Sequence, residues 1–262
     1  TGQRMPDGSL AGESPVAAPP ASFDWRNPPN GTNKVTSVKN QGGCGSCYAF
    51  AALANIESKI LIDTNTTAPV NYSENNAKEC NWRELNSYGC PGQCWGSCAG
   101  GNYRMLAGLF SQKGIVLESD DPYVPVDVAC NSSCPYNKTL LDWRIISSNY
   151  IPNTNVLKNY IMTYGPVYTA LYVDSGQGFN IGYDGSYTFN YTKPPFVGVN
   201  HAVLIVGWSN SLPPDQVTGL SGDGWIVKNS WGAGWGAGGY FYMHYGAANI
   251  GMWSSFAHSW QD

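Results

Sequence analysis

The sequence predicts an α+β protein of two lobes, one helical and one built on a twisted antiparallel sheet, with a groove between them. Three observations predict it. Apolar residues early in the chain recur at helical spacing, the later apolar runs are short and rich in Val, Ile, Tyr and Phe, and all eight cysteines fall within the first 134 residues. A length of 262 residues fits one compact unit, because a single core stops growing at roughly 250–300 residues.

Residues 1–21 are rich in Pro, Ala, Gly and Ser without periodicity and read as a linker, a tail or a leftover pro-segment. They lack the basic stretch and following apolar stretch of a signal peptide. From Ser46, placed to act as N-cap, Ala49, Phe50, Leu53, Ile56 and Ile60 share one helical face. A second helix is expected from Tyr103 to Lys113, with Met105, Leu106, Leu109 and Phe110 as its stripe and Gly114 at its stop. A third runs from Asn155, as cap, to Tyr164, where Gly165-Pro166 ends it. The period then changes. Val167 to Val173, His201 to Trp208, Gly224 to Asn229 and Gly239 to Tyr245 read as strands. One domain is expected over 22–262, its helical lobe at 40–140 and its sheet lobe at 141–262 together with an N-terminal strand segment.

Hydrophobic residues at 42% and a net charge of −4 place the chain far from disorder. The acidic balance offers no basic field for a phosphate backbone, which argues against nucleic acid as a partner. The longest apolar run, Cys47 to Ala54, is far shorter than the roughly 18 residues that a membrane span needs. Charged residues supply only 12%, against a usual share of ~25%, so the surface must be built from Asn, Ser, Thr, Tyr and Gly. Such a surface loses few ion pairs when carboxylates protonate, which suits an acidic exterior. Asn-x-Ser/Thr sequons begin at Asn30, Asn65, Asn71, Asn131, Asn137 and Asn190, a weak pointer to secretion in a chain this rich in those residues. The cysteines read either as disulfides of an oxidising compartment or as metal ligands in a reducing one. The spacing of four in Cys90, Cys94 and Cys98, repeated in Cys130 and Cys134, departs from the Cys-x2-Cys pairs common in structural zinc sites and disfavours the metal.

Chemistry concentrates at three places. Gln41-Gly42-Gly43-Cys44-Gly45-Ser46-Cys47 joins a glycine-rich turn to the first helix, and a thiol there feels the positive end of the helix dipole and nearby N–H donors, which favour thiolate. Cys47 is therefore a candidate nucleophile, the alternative being one more disulfide partner. A thiolate needs a proton carrier, and His201 opens a strand, whereas His244 and His258 lie in late segments without such context. Asn229-Ser230-Trp231 follows another strand; an Asn amide oxygen can accept from an imidazole and fix its tautomer, and Trp231 can cover that bond from water.

Glutamine, cysteine, histidine and asparagine in this order resemble the papain-like cysteine peptidases, the family of the cathepsins. Cys44-Gly45-Ser46-Cys47-Tyr48 matches the family's local signature near the mature N-terminus. Further matching pieces are Phe23-Asp24-Trp25-Arg26, Val38-Lys39-Asn40-Gln41, Cys98-Ala99-Gly100-Gly101, Asp121-Pro122-Tyr123 and Gly165-Pro166-Val167. His201 lies 154 residues and Asn229 182 residues after Cys47, beyond the usual ~130–150, so the chain carries insertions, with 174–198 and 209–222 as candidates.

The resemblance implies a papain-like two-lobed fold and a peptidase with Cys47 as nucleophile, His201 as general base and acid, Asn229 as orienter, and Gln41 with the Cys47 N–H as oxyanion hole. It implies that Gly100 and Gly101 pair with an extended substrate and that Ala170, Ala202 and Ser255, all small and uncharged, surround the pocket for the residue preceding the scissile one, with Trp235 also near substrate. It implies a Cys44–Cys98 bond and a bond from Cys80 to Cys130 or Cys134. Because Cys47 is set aside, an odd number of cysteines remains, and at least one among Cys90, Cys94, Cys134 and their neighbours is expected to be free or bonded elsewhere. Tyr48 stands where Trp is commoner in relatives, and Asn102-Tyr103 where they often carry an aromatic pocket wall. No His-His occluding loop follows Gly101, so endopeptidase action is expected. The other readings are a catalytically weak or dead binding domain, disfavoured because all four catalytic positions are filled, and an acyl transferase using the same acyl-enzyme. The expected setting is a monomer without metal or cofactor, acting on polypeptides, secreted or in another oxidising, acidic compartment.

Overall fold

The computed structural model of the chain describes residues 18–29, 31–81, 96–195 and 197–262; Cys90 and Cys94 lie outside them, as do residues 1–17 of the N-terminal extension. Helix α1 (Cys47–Asp63) forms from a stretch dominated by good helix formers, with Ala49, Ala51, Ala52 and Ala54 in its first half. Its burial exceeds the one-faced stripe expected: every residue from Tyr48 to Ser58 is buried, as in a helix enclosed by its protein on all sides. Asn55, at its centre, donates to Pro166 O at 2.7 Å and accepts from Tyr103 Oη and Ala257 N, both at 2.8 Å. One buried amide, its oxygen twice paired, thus ties the helix to three distant parts of the chain.

Helix α2 (Glu74–Glu79) carries no apolar stripe and escapes the periodicity argument, yet all six of its residues are buried. Ser73 caps it by accepting from Asn76 N, and Asn75 and Asn76 each donate to a carboxylate oxygen of Asp121. Helix α3 (Tyr103–Gln112) begins at the cap Asn102 and is followed by Lys113 and Gly114, whose φ of +122° suits glycine; Met105 of the expected stripe is only half-buried. Helix α4 (Thr154–Tyr164) starts earlier than expected. Its cap is Asn153, whose side chain accepts from Asn155 N, and not Asn155.

Nine strands form one sheet among the described residues: β1 (Phe23–Asp24), β2 (Ile115–Val116), β3 (Tyr136–Ile145), β4 (Val167–Leu171), β5 (Thr188–Phe189), β6 (His201–Pro214), β7 (Ser221–Lys228), β8 (Tyr240–Met243) and β9 (Met252–Gln261). Their order is β2-β3-β9-β4-β6-β7-β8-β5, with β1 against β6. All neighbours are antiparallel except β5 and β8, a parallel edge that the sequence reading did not anticipate. The β6–β7 hairpin also runs past the expected end at Trp208, so that segment 209–222, a candidate insertion, extends two existing strands.

Two cores result. Tyr48, Leu53, Ile56, Leu106 and Phe110 gather around α1, together with Tyr168, Ala202 and Ala257 from the sheet. A second core is aromatic, with Phe179, Tyr183, Phe189, Trp208, Trp225, Trp235 and Phe241. Disulfides join Cys44 to Cys98 and Cys80 to Cys130; Cys47 and the buried Cys134 are free thiols.

Candidate active site

Cys47 is the first residue of α1. Ser46 occupies the N-cap position, but its hydroxyl turns away from the helix to Tyr123 Oη at 2.7 Å, and Tyr123 in turn donates to Gln41 O at 2.7 Å. The helix entry is closed instead by the Ser46 carbonyl, which accepts from Ala49 N at 2.8 Å. The turn before it is stapled by Cys44–Cys98 and by Gly45 N donating to Cys98 O at 3.2 Å. A Cβ at Gly45 would stand 2.5 Å from that same oxygen, so this close approach requires glycine.

Gln41 is buried and clamped at both ends. Its Nε2 donates to Cys44 O at 2.8 Å, its Oε1 accepts from Ser230 Oγ at 2.6 Å, and its backbone N donates to Ser230 O at 2.8 Å. The amide nitrogen carries two protons, so one remains to be aimed at a developing oxyanion. Ser230 is a functional residue that the sequence did not single out by role; its only signal there was adjacency to Asn229.

His201 opens β6, and its Nε2 lies 2.8 Å from Asn229 Oδ1. The same oxygen accepts from Ser230 N at 2.9 Å, which fixes the amide with its oxygen towards the ring. Nε2 therefore carries the proton and Nδ1 is left to accept one. The Trp231 ring sits 5.1 Å from the imidazole, tilted by 38°. The next residue, Ala202, donates its N–H to Cys47 Sγ at 3.4 Å, so the helical lobe's thiol meets the strand that begins with the imidazole. Burial pushes the Cys47 thiol up, against the N–H groups of Ala202, Tyr48 and Cys47 itself, and pushes His201 down to about 4 despite its bond to Asn229. Each group alone favours its neutral form; charge on both at once lets each stabilise the other, and the α1 N-terminus adds to the thiolate side.

Gly100 has φ +94°, and a Cβ at Gly101 would lie 2.5 Å from the Tyr48 ring, so this edge takes glycine at both positions for different reasons. Ala170 and Ala202 are cross-strand partners and share one face. Ser255 pairs with Tyr168, while Met252, which the sequence reading passed over, sits opposite Ala170; the register shifts between the two pairs, where Trp253 has φ +56°. Trp235 lies behind Trp231. It is buried among Phe179, Tyr183, Trp231 and Phe241 with its N–H donated to Asn180 O, so it supports Trp231 by packing against it. Among the described residues no cluster of three or more His, Cys, Asp or Glu could hold a metal ion, and no helix is long and apolar enough to cross a membrane.

A family model described as papain family cysteine protease matches residues 19–259. The chain is 32% identical over 251 residues to a viral cathepsin of Cydia pomonella granulosis virus, covering 94% of this chain and 64% of the relative. It is 34% identical over 240 residues to cysteine proteinase 1 of Dictyostelium discoideum, covering 89% and 63%. The chain thus spans a little under two thirds of the length of these curated relatives. Among solved structures, digestive procathepsin L2 from the Tenebrio molitor larval midgut superposes with a TM-score of 0.71 at 30% identity, covering 94% of this chain and 70% of that one.

Proposed function

The chain belongs to the papain family of cysteine proteases, and on that premise we propose that it is a secreted endopeptidase acting through Cys47, His201, Asn229 and Gln41. The peptidase unit covers 22–262, with 1–21 as an extension. The observation that carries the reading is the meeting of the two lobes: Cys47 Sγ receives the Ala202 N–H at 3.4 Å while the adjoining His201 is held by Asn229 at 2.8 Å.

In this mechanism His201 Nδ1 takes the Cys47 proton as sulfur attacks the scissile carbonyl, and the imidazolium is stabilised through Nε2–H on Asn229. The oxygen that gains charge receives the second Gln41 Nε2 proton and the Cys47 backbone N–H. His201 then protonates the leaving amine, and water, activated by the same ring, releases the acyl group. Ala170 and Ala202, small and uncharged, favour an apolar side chain in the pocket. Burying Leu or Val is worth about 1.5–3 kcal/mol, so at least about a tenfold preference in kcat/KM over Arg, Lys, Asp or Glu is expected there. Labelling with an epoxysuccinyl inhibitor followed by peptide mass spectrometry tests the assignment. Modification at Cys47 with loss of peptide cleavage is expected; cleavage that survives complete thiol blocking overturns Cys47 as nucleophile, whereas a wild-type chain that cleaves no peptide favours a binding domain.

A further inference from the structure

Behind the site lies a buried cluster of charge that the mechanism above does not use. Lys39 Nζ contacts Glu74 Oε1 at 2.6 Å, Glu57 Oε1 at 3.5 Å and Tyr72 O at 3.0 Å. Thr36 donates to Glu57 Oε2 at 2.5 Å and accepts from Lys228 Nζ at 3.1 Å. Two polar atoms next to this network have no partner among the described residues: Glu74 Oε2, an acceptor, and Asn229 Nδ2, a donor. Glu74 is 1% and Asn229 3% exposed, so both atoms are sheltered, and leaving such a bond unmade at that depth is costly. Both residues line the same pocket of about 20 Å³, as do Lys39, Ala54, Glu57 and Lys228.

The chemistry of the lining selects the occupant. Two ammonium groups and an amide N–H repel a cation, two carboxylates repel an anion, and a neutral molecule that both donates and accepts suits all of them. A volume of about 20 Å³ holds one water, which needs ~10–15 Å³ and two to four polar partners. We propose that a structural water fills this cavity, accepts from Asn229 Nδ2 and donates to Glu74 Oε2, which makes Glu74 a positioning residue for Asn229 and, through it, for His201. The bridge holds the amide from the side opposite to the imidazole. Ser230 N and His201 fix its oxygen; the water fixes its nitrogen, and a flipped amide, presenting N–H to a ring N–H, is excluded twice over.

The proposal rests on the peptidase reading for its kinetic consequence but not for the water itself. A high-resolution crystal structure of the chain tests the water directly: density within hydrogen-bond distance of both atoms is expected, and its absence, or a water bonded to only one of them, overturns the bridge. Ala54→Val places methyl groups in the cavity without touching a charge, and Glu74→Leu removes the acceptor. Each is expected to lower kcat about tenfold or more with KM held, because misorienting the base slows chemistry and not binding. Glu74→Gln, which keeps an oxygen in place, is expected to restore most of kcat. Thermal melts accompany the variants; if Glu74→Leu does not fold, Ala54→Val carries the kinetic arm. An Ala54→Val protein with unaltered kcat overturns the positioning role. A wild-type chain that cleaves no peptide overturns the peptidase reading instead and leaves the crystallographic arm standing.

Discussion

The two lobes hold their halves of the site by different means. At Cys47 a glycine-rich turn enters α1 and its core, and this lobe is secured in addition by covalent bonds, Cys44–Cys98 and Cys80–Cys130, and by buried polar anchors such as Asn55 and the Lys39–Glu74 pair. The chain beyond Cys134, which carries His201 and Asn229, contains no cysteine. There the strand ladder sets the backbone, and packed rings fill the space behind it: Phe179 and Phe189 stacked at 4.6 Å, Tyr183 and Phe189 tilted at 4.5 Å, Trp231 and Trp235 edge to face at 4.9 Å. A loop that must carry a reactive thiol on its outer end gains from a constraint that works without burial; a strand is already constrained by its neighbours and gains from packing.

This contrast is open to direct attack. The largest effect is expected from Cys47→Ala, which should abolish peptide cleavage while leaving the circular dichroism spectrum and melting temperature close to wild type, since Cys47 is only partly buried. Next, Gln41→Ala should lower kcat by roughly 10²–10³-fold, the usual loss for one oxyanion donor. Ser230→Ala, which removes one end of the Gln41 clamp, should give a smaller loss of the same kind. If both leave kcat unchanged in a steady-state peptide assay, Gln41 has no such role.

On stability, the sheet lobe should be the more sensitive. Phe179→Ala opens a cavity within the ring stack and should cost about 3–5 kcal/mol in a denaturant titration. Replacing Cys44 and Cys98 together by Ala should cost about 2–4 kcal/mol, with a faster loss of activity than of global fold, because the bond ties the turn that precedes Cys47. Equal loss of activity and fold in that double variant would erase the distinction between the lobes.

The smallest effect is a pH dependence. Burial lowers His201 to about 4 in the folded chain from an ordinary value of 6.5, so between these values the unfolded chain binds the extra proton. Stability from this group is complete above about pH 6.5 and falls as pH drops towards 4, by at most about 3 kcal/mol. Denaturant titrations at pH 7 and pH 4 should therefore show a smaller acid-induced loss in His201→Ala than in wild type.

Legibility in the sequence followed the range of the interactions. Helices α1 and α3 and the four runs Val167, His201, Gly224 and Gly239 onward were readable because periodicity and end signals act within a few residues. Helix α2 and strands β3 and β9 were not. Asn75 and Asn76 donate to Asp121, more than forty positions away, and Tyr136–Ile145 mixes polar and apolar positions whose faces are set only by the strands β2 and β9 beside it. The Asn153 cap was missed by two residues for the opposite reason: either Asn suits the local chemistry, and only backbone direction chooses between them.

By itself the sequence determined what local chemistry can encode: a thiol at the start of a helix behind a glycine turn, a histidine and an asparagine at strand ends, a stapled first half and an unstapled second. Tertiary structure alone decided which cysteines meet, since Cys80 faced two equally permitted partners until the fold brought Cys130 to it. It decided that Trp235 backs Trp231, that Met252 faces Ala170 across a bulge, and that Lys39, Glu57, Glu74 and Lys228 share one cavity behind Asn229. These are distances between residues far apart in the chain, fixed by closure of the whole core, and no window of neighbouring residues contains them.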